Sequence, residues 1–405
     1  MRVIRTDRKT LWTTPFCLTM LGMLFLFIPF SLYMPVLPAY LLEELNSSLQ
    51  AAGAVNAAFL IAAVLFRVHT PRLEARFGVR RVLLASGIVF TATNAIYLGL
   101  DSVAGILLNR FVSGAAFAIV NTSTMALGSR LVPRSRIGEG LAYLTTMVLA
   151  GGAVGPYIGL KLSSVYGYPS VFIFSTLTTL LGLLIICLVP DREEMAKTPA
   201  RISVRDLFEV KAVPVSLIIL VLAFSYGGVM TFVVVYASEL HLPLVIEYFF
   251  VVMATASVLS RLATGRLYDR LGADAAICVS IVILAGGLMI LGGIHITAWM
   301  LLAAAMIGVG YGSAVPSMQA LAIQISPEHR SSAVTATFFT CVDGGIGLGA
   351  YVLGGGIQAF GYAAVYLALG VMSFGCLLSY YLLSTANRRS QNGPLPPRSP
   401  EPGRE

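Results

Sequence analysis

Two ionised side chains interrupt long uncharged stretches: Arg110 in the run 103–129 and Asp343 in the run 331–387. A charge in such surroundings is costly to hold and marks a solute path, a proton relay or a counter-ion. At about 1.5 Å of rise per helical residue, each lies roughly 10–18 Å from the nearer end of its run. Asp343 is expected to be the protonatable coupling group, because a carboxylate in a dry site takes up a proton more readily than one in water. Arg110 is expected to bind an anionic group of a solute or to tune that acid. Glu247 opens a later apolar run and reads as a solvated helix-terminal residue, and Glu43 with Glu44 reads as an exposed loop. His69, His241, His295 and His329 fall near the ends of apolar runs, and no two have the spacing of metal ligands. Cys17, Cys187, Cys278, Cys341 and Cys376 lie inside apolar runs without metal spacing or a disulfide framework. No metal and no cofactor is expected. The sequence has no glycine-rich phosphate loop, nucleophile–base pair or soluble output domain, so neither an enzyme nor a signalling receptor is indicated.

The elements that must position these groups are membrane spans. Of 405 residues, 57% are hydrophobic and 11% charged, against roughly 25% charged in a soluble domain. A chain so poor in charge has too little polar surface to face water on all sides. A spanning helix needs about 20 apolar residues. The first uncharged run, 10–42, is too long for a signal peptide and has no small-residue cleavage site; a first span is expected there, ending in the proline-marked stretch Pro35 to Pro38. Further single spans are expected in 51–66, 82–100, 103–129, 140–160, 162–190, 212–238 and 247–264. The run 275–327 fits two spans divided near His295, and 331–387 fits two divided near Gly361. The expected organisation is an all-α membrane protein of twelve helices: a first half over 1–190, a cytoplasmic linker over 191–211, a second half over 212–387, and a disordered tail over 388–405.

Charge placement sets the orientation. With the N-terminus inside, 25 of the 27 Lys and Arg residues fall on the cytoplasmic side, leaving Arg110 and Lys161. Basic residues concentrate in cytoplasmic loops, so both ends are expected in the cytoplasm of a multi-pass protein of the inner membrane. The net charge of +8 therefore belongs to the membrane surface, and no nucleic-acid partner is expected.

The two halves are copies. A shift of 194 residues carries Arg72, Leu73, Arg76 and Gly78 onto Arg266, Leu267, Arg270 and Gly272. The same shift carries Gly114 onto Gly308, Pro133 and Arg136 onto Pro327 and Arg330, and Gly151, Gly155 and Tyr157 onto Gly345, Gly349 and Tyr351. Gly167 and Tyr168 fall on Gly361 and Tyr362. One constant offset implies duplication into parallel halves related by an axis along the membrane normal.

On these features the sequence resembles the major facilitator superfamily over nearly the whole chain. GRLYDRLG, Gly265 to Gly272, is similar to that family's loop G-x-L-x-D-R-x-G. The copy PRLEARFG, Pro71 to Gly78, departs from it, with Pro71 for the first glycine and Ala75 for the aspartate. The resemblance implies a latch on the cytoplasmic face made by Gly265, Asp269, Arg270 and Gly272, with Arg76 and Gly78 in a weaker copy where Glu74 partly substitutes. Asp269 would meet the start of the fifth span near Ile137 and Gly138, where a helix N-terminus favours an anion. LLNRFVSGAAFA, Leu107 to Ala118, resembles the family's fourth-span R-x-x-x-G motif through Arg110 and Gly114. GGAVGPYIG, Gly151 to Gly159, is similar to the G-x-x-x-G-P-x-x-G pattern of the antiporter branch. Its Gly151, Gly155 and Gly159 share one helix face, and Pro156 bends the helix; the resemblance implies a seal against leak and a bias to export. In this family spans 1, 4, 7 and 10 line the pathway, which makes Tyr33, Asn109, Asn121, Tyr226, Tyr311 and Gln319 cavity candidates. The expected function is proton-coupled export, by alternating access, of a small organic molecule such as a drug-like compound or a secreted metabolite, for instance a metallophore. The alternative is uptake of a sugar or organic acid. The expected partners are the solute, protons and the lipid bilayer, and a monomer suffices.

Overall fold

An apolar run in lipid has no water to satisfy its backbone, so it closes its own hydrogen bonds as a helix. The computed structural model describes residues 11–133, 136–190, 209–293, 296–326 and 331–391. Spans 1 to 7 are the helices Thr14–Glu43, Leu49–Arg67, Val79–Ile96, Val103–Leu131, Ile137–Tyr166, Tyr168–Cys187 and Val213–Glu239. Helix Pro243–Gly293 is broken at Gly272 into spans 8 and 9, and Thr297–Gln324 is span 10. Helix Ser331–Gln391 is broken at Gly361 into spans 11 and 12. A short helix, Thr70–Phe77, joins spans 2 and 3. Among the described residues eleven stretches are long and apolar enough to cross a bilayer, and the last of them, 50 residues long, makes two crossings, which gives twelve. An even number of crossings puts the start of span 1 and the end of span 12 on one face, called the N face below; the other is the far face. Span 12 is described as far as Gln391, past the expected limit at 387; 191–208 and 392–405 lie outside the described residues.

The duplication is visible in the backbone. Among the described residues Gly78, Gly167, Gly272 and Gly361 are the four glycines with positive φ, between 77° and 86°. A side chain at that φ would be strained, which is why glycine sits at these junctions. Gly78 and Gly272 stand 194 residues apart, as do Gly167 and Gly361. Gly167 also moves a boundary. The sequence suggests an end of span 5 at Lys161, whereas the helix runs on to Tyr166 with Lys161 inside it. A lysine near a span end reaches the interface through its flexible stem and need not interrupt the helix.

Span 1 passes through its prolines instead of ending at them. It is helical to Glu43, with Pro29, Pro35 and Pro38 inside. Proline has no N–H to donate to the carbonyl four residues back, so Pro38 leaves the carbonyl of Met34 unpaired within the helix. Asn56 of span 2 donates its Nδ2 to that oxygen at 2.7 Å and also meets Thr231 Oγ1 of span 7 at 3.1 Å. A side chain from a neighbour thus restores what the proline removed.

Glycines set how closely spans approach. A Cβ on Gly114 of span 4 would run into the backbone of Phe59 on span 2, and a Cβ on Gly308 of span 10 into the backbone of Met253 on span 8. These contacts are repeat copies, since Phe59 and Met253 are also 194 apart. Gly114→Val and Gly308→Val are each expected to cost about 3 kcal/mol, the upper end of overpacking penalties, because backbone yields less than a side chain. Gly344→Ala and Gly355→Ala, where an added Cβ meets nothing within 4 Å, are expected to leave stability unchanged. Melting of the purified variants in detergent checks both.

Besides contacts of spans 1 and 2 with span 7, the halves meet along two seams. In the first, span 2 lies against span 11: Gly53 faces the Ala350 backbone, Gly354 faces the Leu49 backbone and Gly347 faces Leu60. In the second, span 5 meets span 8 at the far face, where Lys161 Nζ lies 2.6 Å from Glu247 Oε1. Glu247 is therefore an interhelix ion-pair partner, not a merely solvated terminus. Glu43 likewise ends span 1 as helix and accepts a hydrogen bond from the Tyr168 hydroxyl of span 6.

Candidate solute site

A cavity of about 210 Å³ lies between the halves at mid-span. Its walls come from spans 1, 5, 7, 8, 10 and 11 and are mainly aromatic and aliphatic, with Phe27, Phe30, Met34, Met230 and Met253 among them. The Tyr226 and Tyr311 rings stack here with centroids 3.9 Å apart and planes 7° apart. Polar groups are few: Ser31, Ser257 and the tyrosine hydroxyls. The arrangement accepts a flat, largely apolar molecule on its aromatic wall. No acid lines the cavity among the described residues.

Span 5 presents two different glycine faces here. Gly151, Gly155 and Gly159 face span 1, where added Cβ atoms would meet Phe27, Ser31 with the Ile28 backbone, and Leu32. Ser31 bridges the same contact, donating its hydroxyl to the Gly151 carbonyl at 2.8 Å. Pro156 sits inside this helix. Gly152 faces the cavity instead, and an added Cβ would meet nothing nearer than Phe27 at 3.8 Å.

Of the cavity candidates named from sequence, Tyr226 and Tyr311 line it. Tyr33 and Asn109 are buried inside the first half, where Asn109 donates to the Thr93 carbonyl. Asn121 and Gln319 are half-buried and stand outside the cavity lining. Span 4, expected to line the pathway, does not contribute to this wall.

Arg110 is placed away from the cavity. It is fully buried, its guanidinium nitrogens make no hydrogen bond, and its charge lies 4.2 Å over the Phe59 ring and 5.4 Å over the Tyr33 ring. An aromatic layer separates it from the cavity: Phe30 and Phe117 stack at 4.7 Å, and Phe59 packs on both. Each cation–π contact recovers about 2 kcal/mol for a desolvated cation, which offsets only part of the several kcal/mol that burying an ion costs.

Asp343 sits on the first seam. Its Oδ2 lies 2.6 Å from Nη1 of Arg67, the last residue of span 2, with side chains 16% and 33% exposed. The sequence depth put Asp343 near mid-span; its partner is at the N-face end of span 2. Asp343 also interacts electrostatically with Tyr311 of the cavity. The pair is shielded but not dry. Its worth lies between the ~1 kcal/mol of an exposed pair and the 3–5 kcal/mol lost on breaking a buried one.

The latch of the second half falls on residues whose side chains are not described: Gly265, Asp269 and Arg270, together with Ile137 and Gly138. Gly272 is described and makes the left-handed break. In the first-half copy, Gly78 does the same, Arg76 lies over the Phe77 ring, and Glu74 accepts a hydrogen bond from Ser123 of span 4. Glu74 thus binds within its own half. Arg67 and Asn56 carry cross-half contacts that the sequence did not single out, and Lys161 and Glu247 carry one for which the sequence named each residue but not the pair.

The chain compares with known proteins along most of its length. The Major Facilitator Superfamily model matches residues 19–350. The multidrug resistance efflux pump PmrA of Streptococcus pneumoniae is 26% identical over 373 residues, covering 86% of this chain and 91% of the pump. The multidrug resistance protein MdtG of Dickeya zeae is 26% identical over 376 residues, covering 88% and 91%. An uncharacterized MFS-type transporter of Methanocaldococcus jannaschii is 23% identical over 382 residues, covering 90% and 96%. Among solved structures, a nucleoside transporter, NupG, superposes with a TM-score of 0.77 at 14% identity, covering 91% of this chain and 99% of that one. The human organic anion transporter MFSD10 superposes at 0.69 with 16% identity, covering 90% and 98%. Twelve duplicated spans around a central cavity and a family match over most of the sequence lead to one conclusion: the chain belongs to the major facilitator superfamily, and it is a membrane transporter of small molecules, not an enzyme.

Proposed function

We propose that this transporter exports a small organic molecule in exchange for protons, by alternating access, across the cytoplasmic membrane. The observation that carries the proposal is the pairing of an aromatic-walled cavity with a carboxylate, Asp343, that ties the halves together beside it. Asp343 is the coupling group. When it is charged, its bond to Arg67 holds spans 2 and 11 together toward the N face; when a proton neutralises it, that attraction is lost and the N face opens. The Lys and Arg distribution makes the N face cytoplasmic. A proton arriving from outside then favours the inward-facing state, and its release inward lets the pair re-form and return the solute outward. Arg110 takes the part of a buried cation that fixes the aromatic layer behind the cavity. One chain encloses the whole path, so the unit is a monomer.

Export is favoured over uptake by the glycine-packed contact between spans 1 and 5 and by relatives named as efflux pumps. Inside-out membrane vesicles with an acid lumen test the direction. They are expected to accumulate aromatic amphiphiles from a panel of cationic, neutral and anionic compounds, and a protonophore is expected to abolish the accumulation. Accumulation only in right-side-out vesicles would make the protein an importer.

A further inference from the structure

The repeat places two arginines at matching positions, and among the described residues only one of them meets an acid. Arg67 ends span 2 and Arg261 ends the apolar part of span 8, 194 residues later. Arg67 is paired with Asp343 of span 11. The residue that stands 194 before Asp343 is Leu149 of span 5, which carries no charge. The second copy of the repeat therefore keeps the cation of the pair without the matching carboxylate.

Arg261 lies on the face of span 8 that lines the cavity, one turn further along. It follows Ser257 and Val258 by four and three residues, so it shares their helix face, and both of these line the cavity wall. Its Nε is buried and makes no hydrogen bond. Its guanidinium interacts electrostatically with Tyr226, the cavity residue stacked on Tyr311. A cation beside a low-dielectric cavity attracts an anion strongly, and no acid among the described residues lines that cavity to supply one.

We propose that Arg261 receives the anionic group of the transported solute, in the place where the second copy of the repeat lacks a carboxylate. The solute class is a carboxylate attached to a flat aromatic body, with the ring on the Tyr226–Tyr311 wall and the carboxylate on Arg261. A solute bound this way supplies the missing half of an ion pair on span 8, as Asp343 does for span 2 at the seam with span 11. This rests on the reading of the cavity as the solute site.

The test is calorimetric binding of 1-naphthoate and 1-naphthamide, matched in shape and differing in charge, to the full chain in nanodiscs without anionic lipid. Wild type is expected to bind naphthoate about tenfold or more tightly than naphthamide, as for a hydrogen bond to a charged group. Arg261→Gln is expected to bring the two affinities together, with naphthamide binding retained as evidence of an intact site. Arg261→Lys is expected to keep part of the preference. Equal affinities in wild type, a preference that survives Arg261→Gln, or no binding of either compound would overturn the proposal. Failure of the underlying cavity reading looks different: both compounds would then bind a Gly152→Trp protein as they bind wild type.

Discussion

Gly152→Trp is expected to stop transport while leaving the protein folded. Gly152 lines the cavity and has open space where a side chain would begin, whereas its neighbours Gly151 and Gly155 press on span 1. An indole at this position enters the cavity without forcing the helices apart. Its bulk is large against an opening of about 210 Å³, so solute affinity falls at least about tenfold, a loss of 1.4 kcal/mol or more. Gly152→Ala adds only a methyl group to open space and is expected to transport normally. Gly155→Ala places its methyl against Ser31 and the Ile28 backbone and is expected to lower the melting temperature. Transport in vesicles and melting in detergent separate the three variants. A Gly152→Trp protein that transports at the wild-type rate would mean that the solute passes elsewhere.

The second large effect belongs to Asp343. Asp343→Asn keeps the shape and removes the charge, so it imitates the protonated state permanently. The bond to Arg67 weakens and the seam between spans 2 and 11 no longer responds to pH. The variant is expected to exchange labelled for unlabelled solute down their gradients, because the cavity is unchanged. It is expected to lose accumulation driven by a pH gradient, because there is no longer a proton to exchange. Arg67→Gln leaves the acid in place and removes its cation. The acid that exchanges the proton is retained, so this variant is expected to stay coupled while the seam between spans 2 and 11 is weakened.

Much of this architecture is written in the sequence. Uncharged runs separated by basic loops specify the spans, and a constant offset of 194 specifies the duplication. The same offset relates Arg67 to Arg261, and it would have drawn attention to both had it been followed into the ends of the spans. Other features have no local signature. Arg67 and Asp343 are 276 residues apart, Lys161 and Glu247 are 86 apart, and only packing of the halves brings each pair together. Span 4 has polar and apolar residues mixed around its circumference, so its sequence does not say which face turns to the cavity. The close approach of Gly114 to Phe59 turns Arg110 inward under an aromatic layer. The prolines of span 1 read as a terminus because the amide that rescues the helix, Asn56, lies on another span.

Proton movement in proteoliposomes bears most directly on the coupling role of Asp343. The purified protein is reconstituted with a pH-sensitive dye inside, a pH gradient is imposed, and aromatic amphiphiles of each charge are added to wild type and to Asp343→Asn. The expected result is solute-dependent proton movement in wild type that is absent from Asp343→Asn, although the variant still exchanges solute. Proton movement that persists in Asp343→Asn, or solute transport by wild type with no proton movement, would contradict the account.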